Sequence, residues 1–120
     1  MSGRFCVALT HGKEDADRAT VAFVVANAAA ASEKEALVFL SIDGVRLATP
    51  GYADDVHEKG FSPLKELMGN FVKAGGKIYV CSPCFKKRGL DETKLVPGAT
   101  IVGGAKLVEF LGAGAPSISY

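Results

Sequence analysis

Short apolar runs alternate with alanine-rich or amphipathic stretches along the whole chain. Residues 5–9 are continuously apolar. A strand buried on both faces reads this way, as in a parallel sheet. The run closes on Thr10-His11-Gly12. Residues 17–31 are rich in Ala and Val, with Asp15 and Asp17 at their start. Alanine favours helix, and acids suit the positive N-terminal end, so a helix is predicted there. Most of its sides are apolar, which predicts packing against the sheet and a second element. Residues 36–42 predict the second strand, closed by an Asp43-Gly44 turn. Residues 45–61 carry Pro50, Gly51 and Gly60 as breakers and predict a long connection. Connections of that length are commonly functional or cover an interface.

Ser62-Pro63 predicts a helix start, with Ser as N-cap and Pro in the first helical position. Leu64, Leu67, Met68, Phe71 and Val72 then form one apolar stripe, and Gly75-Gly76 ends it. Residues 77–80 predict the third strand. Cys81-Ser82-Pro83-Cys84 comes at once after it, with Ser82 and Pro83 again in the N-cap and first helical positions, and Gly89 as the stop. Residues 90–95 predict a short turn or helical piece, and Pro97-Gly98 a turn. A fourth strand over 100–102, a helix over 104–111 and a fifth strand over 117–120 complete the pattern. Alternating strands and helices imply a three-layer α/β/α fold, Rossmann- or flavodoxin-like, with a mostly parallel sheet of about five strands. One domain over residues 1–120 is expected, without repeats or linkers. In such sheets ligands gather at the carboxyl ends of the strands. That rule brings Thr10-His11, Asp43-Gly44, Cys81 and Gly103 to one edge.

Composition narrows the partners. The 120 residues are 48% hydrophobic and 22% charged, with a net charge of +1. That balance is globular, and it lacks the basic stripe with interleaved aromatics that nucleic-acid binding needs. No apolar run is long enough to span a bilayer. Met1-Ser2-Gly3-Arg4 leads straight into the first strand without a signal-peptide h-region. A cytoplasmic protein is expected, with no membrane or nucleic-acid partner. Its three cysteines are then expected to be reduced at rest.

In that setting a C-x-x-C points to redox, sulfur-transfer or metal chemistry rather than a structural staple. The thiolate is the nucleophile, and an ordinary cysteine is mostly thiol at neutral pH. Cys81 and Cys84 straddle a predicted helix start, where the dipole is positive. Lys86, Lys87 and Arg88 lie within four residues of Cys84. These features favour the anion, and burial opposes it. The spacing also lets one cysteine attack while the other resolves through a disulfide. Zinc needs four ligands, and there is no second C-x-x-C, so no metal is expected. Cys6 lies inside the first strand and reads as core.

The stretch Ile78-Tyr79-Val80-Cys81, then Lys87-Arg88-Gly89-Leu90-Asp91-Glu92, resembles the cysteine loop of the DsrE/DsrF/TusD-like family. Phe39-Leu40 through Asp43-Gly44-Val45 resembles that family's second strand and turn. The resemblance implies an α/β/α fold and assembly as a homotrimer or homohexamer. It also implies sulfur relay through a cysteine persulfide, exchanged with a sulfur-donor or acceptor protein. The family cysteine matches Cys81. Sulfur-relay members commonly have one cysteine in that loop, whereas this chain adds Cys84. A second thiol there can attack a persulfide on Cys81 and close a disulfide, which keeps a redox role open.

His11, at the end of the first strand, suits proton transfer or a loop histidine bonded to backbone. Its loop lacks G-x-G-x-x-G, so no nucleotide or other cofactor is expected. Asp43 suits orienting His11 or a lysine, besides its turn role. Lys86, Lys87 and Arg88 suit an anionic donor or an acidic partner. Asp54, Asp55, His57 and Glu58 resemble a metal cluster only loosely and read as a solvated loop or subunit contact. The leading expectation is a sulfurtransferase-like carrier with Cys81 as acceptor and Cys84 as resolving or tuning thiol. A non-enzymatic oligomeric binding protein and a C-x-x-C disulfide redox protein are the alternatives.

Overall fold

The computed structural model describes residues 3–120, so Met1 and Ser2 of the N-terminal reading lie outside the described residues. The strands are β1 (Arg4–Leu9), β2 (Glu35–Leu40), β3 (Lys77–Cys81), β4 (Ala99–Val102) and β5 (Ser117–Ser119). The helices are α1 (Ala16–Ala31), α2 (Leu64–Lys73), α3 (Ser82–Lys87) and α4 (Gly104–Gly112). All five strands are parallel, in the order β4-β3-β2-β1-β5. The steps from β1 to β4 all run the same way across the sheet, so right-handed crossovers place α1, α2 and α3 on one face. The return from β4 to β5 crosses the sheet in the other direction and puts α4 on the opposite face.

Strand alternation sorts the side chains between these layers. Val7, Leu9, Val38, Leu40, Ile78 and Val80 form one core with α1 and α2. Cys6, Leu37, Phe39 and Val102 form a smaller core with Phe110 of α4. Both faces are covered at the centre, which is why β1 and β2 read as unbroken apolar runs. Ala19, Ala22 and Ala26 are wholly buried, and their small side chains let α1 lie close to the sheet. Phe23 of α1 meets Phe71 of α2 edge to face, at 6.0 Å and 77°. The second partner expected for α1 is therefore α2.

Three boundaries differ from the sequence reading. Helix α2 starts at Leu64, with Pro63 extended in the cap position and no side-chain cap from Ser62. The Leu64 N–H donates to the Val56 carbonyl at 3.0 Å, which ties the chain before it to the long connection. Helix α3 starts at Ser82, with Cys81 as N-cap and Pro83 second. Cys81 is still paired with Val102 in the sheet, so the helix begins immediately beyond the ladder. Proline fits there because the first helical N–H groups have no intrahelical acceptor. Strand β2 stops at Leu40, and Ile42–Ala48 forms a 3-10 helix. Val45, Leu47 and Ala48 are wholly buried, so the first part of the long connection is a wall of the core.

A candidate thiol site at the carboxyl edge of the sheet

Cys81 is the last residue of β3, and Cys84 lies in the first turn of α3. Both are half-buried free thiols. Residues three apart on a helix lie on one side of it. The Cys84 backbone N–H and thiol are both close enough to act on the Cys81 thiol. Cys81 packs against both cores at the edge of the sheet.

Burial is the largest influence on Cys81 and pushes its pKa above the ordinary thiol value. The Cys84 N–H pulls it down, the Cys84 thiol pushes it up again, and Arg88 pulls it down more weakly. Of the opposing effects read from the sequence, burial outweighs charge and helix position. Three structural reasons account for this. Helix α3 has six residues, too few to sum a strong dipole. Wholly buried Phe85 anchors one side of it, and Lys86 and Lys87 are exposed. The third cation, Arg88, is engaged by a carboxylate.

That carboxylate is Asp43, beyond the end of β2. Arg88 Nε donates to Asp43 Oδ1 at 2.9 Å, and Arg88 Nη1 donates to the Cys84 carbonyl at 3.1 Å. Arg46 Nε stands 3.6 Å from the same Asp43 oxygen. The Arg88 hydrogen bond, and then the charges of Arg88 and Arg46, hold the Asp43 carboxyl below its usual value against a smaller opposing effect of burial. Arg88 thus fastens the thiol helix to the neighbouring strand end. The partners of Asp43 are these two arginines, and not His11 or a lysine, the orienting role that the sequence allowed beside its turn role.

His11 is also placed differently. Its Nδ1 is 2.6 Å from Glu14 Oε2, and the Gly12 N–H donates to the other oxygen of that carboxylate. Strand β2 separates β1 from β3, so the His11 backbone stands about two strand spacings, roughly 10 Å, from the thiol strand. The edge brings Asp43, Arg88, Cys81 and Cys84 together and leaves His11 with Glu14. The loose acidic group disperses: Asp54 meets Lys65, Asp55 meets Lys13, and His57 Nε2 bonds the Phe61 carbonyl. Among the described residues no three metal-ligating side chains converge.

Glu14 and Arg46 escaped sequence reasoning, although each lies three residues from its partner, a spacing that faces side chains together. Ile42 escaped it as well. This β-branched residue has φ of 54° and is 51% exposed, beside Asp43. No local signal marks it, because a left-handed isoleucine is held there only by its surroundings.

Residues 3–119 match the model of the DsrE/DsrF-like family. The chain belongs to the DsrE/DsrF-like family. It is 30% identical over 108 residues to the uncharacterized protein MJ0989 of Methanocaldococcus jannaschii, covering 90% of this chain and 91% of that one. It is 32% identical over 102 residues to the uncharacterized protein MJ0760 of the same organism, covering 85% of this chain but only 37% of that relative's length. Among solved structures, the ychN protein from E. coli superimposes with a TM-score of 0.78 at 16% identity, covering 98% and 99% of the two chains. MTH1491 from Methanobacterium thermoautotrophicum gives 0.67 at 15% identity over all of both chains. These likenesses show a shared fold. In this DsrE/DsrF-like chain Cys81 and Cys84 lie at the β3–α3 junction.

The raised thiol pKa has a direct consequence. In a Cys84→Ser variant, Cys81 should react with iodoacetamide more slowly than an unstructured cysteine peptide near neutral pH. Its rate should climb about tenfold per pH unit until the pH passes its pKa. Alkylation rates from pH 6 to 10 check this; a rate above the peptide's and flat near neutrality would show an ionised thiol instead.

Proposed function

We propose that this chain carries sulfur as a persulfide on Cys81 and exchanges it with a donor or acceptor protein. One observation supports this above the rest: the cysteine that matches the family's ends β3 at the carboxyl edge of the sheet, with Cys84 in the first turn of the helix that follows. In loading, the Cys81 thiolate attacks the outer sulfur of a donor persulfide. A new S–S bond forms, the donor S–S bond breaks, and the donor leaves as a thiolate that takes up a proton. In unloading, an acceptor thiolate attacks that same outer sulfur and Cys81 departs as the leaving thiolate. A thiol of high pKa leaves slowly, so the loaded sulfur is retained until an acceptor arrives. Exposed Lys86 and Lys87 follow Cys84 on α3, and exposed Ile42 adjoins Asp43; these residues suit contact with a partner. Assembly as a homotrimer or homohexamer and a cytoplasmic location belong to the same proposal. Among the described residues no helix is long and apolar enough to cross a membrane.

The two adjacent thiols also favour a second reading, a disulfide redox protein. Cys84 attack on the inner sulfur of a Cys81 persulfide would release hydrosulfide and leave a Cys81–Cys84 disulfide. Intact mass after incubation with glutathione persulfide separates the readings. A gain of one sulfur atom in the wild type and in Cys84→Ser, absent from Cys81→Ser, is the expected result. Full loading of Cys81→Ser would overturn the carrier assignment. Loss of two hydrogens that requires both cysteines would establish the redox reading.

A further inference from the structure

A cavity of about 410 Å³ lies on the α2 face of the sheet, away from the thiols. Its walls are Leu47, Met68, Val72, Ile78, Val96 and Pro97. Ile78 and Cys81 are three residues apart on β3, so their side chains point to opposite faces about 10 Å apart along the strand. The volume falls within the range of small-molecule sites, and such sites are apolar with a few placed polar groups.

Three features mark this cavity as more than a packing gap. The first is Gly69, in the middle of α2 and on the cavity lining. A helix interior disfavours glycine. Nothing lies within 4 Å of the Cβ it lacks, so close packing does not require it. What its absent side chain provides is open space at the cavity. The second is a wall that is apolar wherever it is not charged: Thr49 is its one hydroxyl residue, and that Oγ1 is shielded from water rather than presented to the hollow. Such a wall favours an apolar ligand body.

The third feature is charge. Two lysines and one aspartate line the cavity. Lys65 stands 3.6 Å from Asp54. Lys73 has no carboxylate within ion-pair distance among the described residues. The local balance is one uncompensated cation beside an apolar hollow. We propose that this cavity is a binding site for a small amphipathic acid, an apolar body carrying one carboxylate, with the body against Met68, Val72 and Ile78 and the carboxylate at Lys73. The site is separate from the sulfur chemistry and stands or falls independently of it.

The test uses the full chain with octanoate as probe, and octanol and octylammonium as controls, monitored by amide chemical shifts. Octanoate should shift α2 and the segment around Val96, and bind Cys81→Ser as well as the wild type. Gly69→Leu should raise thermal stability while weakening octanoate roughly tenfold or more. Lys73→Glu, at an exposed position, should weaken octanoate severalfold and leave octanol unchanged. Absence of shifts with octanoate, equal binding of octylammonium, or full octanoate affinity in Gly69→Leu would each overturn the proposal.

Discussion

Replacement of Gly44 by alanine should destabilise the protein by about 3 kcal/mol or more, the upper end of overpacking effects. A Cβ on Gly44 would stand 2.4 Å from the Leu9 carbonyl oxygen and 3.2 Å from its carbon. Both are backbone atoms at the end of β1. The same Leu9 oxygen accepts the Ser41 N–H at 3.1 Å, the last rung between β1 and β2. No side chain can rotate to relieve the clash, so the 3-10 helix over Ile42–Ala48 must lift from the sheet. Asp43 would move with it and loosen its hold on Arg88. Faster alkylation of Cys84 should therefore accompany the lost stability. Chemical denaturation of Gly44→Ala beside Gly103→Ala checks this, because a Cβ on Gly103 meets nothing within 4 Å. Equal stability of the two variants would show that the strand end yields more easily than its hydrogen bonding indicates.

Phe85→Ala should cost about 3–5 kcal/mol, the usual range for removing a buried aromatic. Phe85 is wholly buried in the main core, and it is the one buried side chain of α3. A six-residue helix has little stability of its own, so packing must hold it. The other restraint on α3 is the Arg88 bridge between Asp43 and the Cys84 carbonyl. Without Phe85 the helix would hang from that bridge and from Cys81. Sulfur loading should then persist on Cys81, which the sheet still holds, while disulfide closure with Cys84 should slow. Urea unfolding gives the first number, and diamide oxidation with mass analysis gives the second. Unchanged stability would mean that the helix is fastened mainly through Arg88.

The two variants probe different supports of one arrangement. Gly44 carries the β2 side, bringing Asp43 to the edge. Phe85 carries the β3 side, presenting Cys84 to Cys81. Arg88 joins them while 14% exposed. That bridge weakens in acid. The Asp43 pKa is depressed by folding, so its contribution is full above the usual carboxylate pKa and fades as the pH falls through the lower folded value.

The alternation of apolar runs, alanine-rich helix and glycine stops was enough to set the five strands, the four main helices and the edge where the thiols lie. Those features depend on near neighbours in the chain: side-chain periodicity, helix propensity and turn geometry. The spacing of Cys81 and Cys84 likewise placed two sulfurs on one side of a helix start. Tertiary structure alone decided the rest. It turned the three cations after Cys84 into one engaged arginine and two exposed lysines, because Phe85 faces inward. It decided between the charges that favour a thiolate and the burial that opposes one, raising the thiol pKa, because desolvation depends on the groups packed around a thiol and not on its neighbours along the chain. It gave Asp43 to Arg88, 45 residues away, because the 3-10 helix after β2 packs against α3, while His11 met Glu14 within its own loop. The cavity beside Gly69 has no local signature at all, since its walls come from four separate segments that meet only when the sheet is formed.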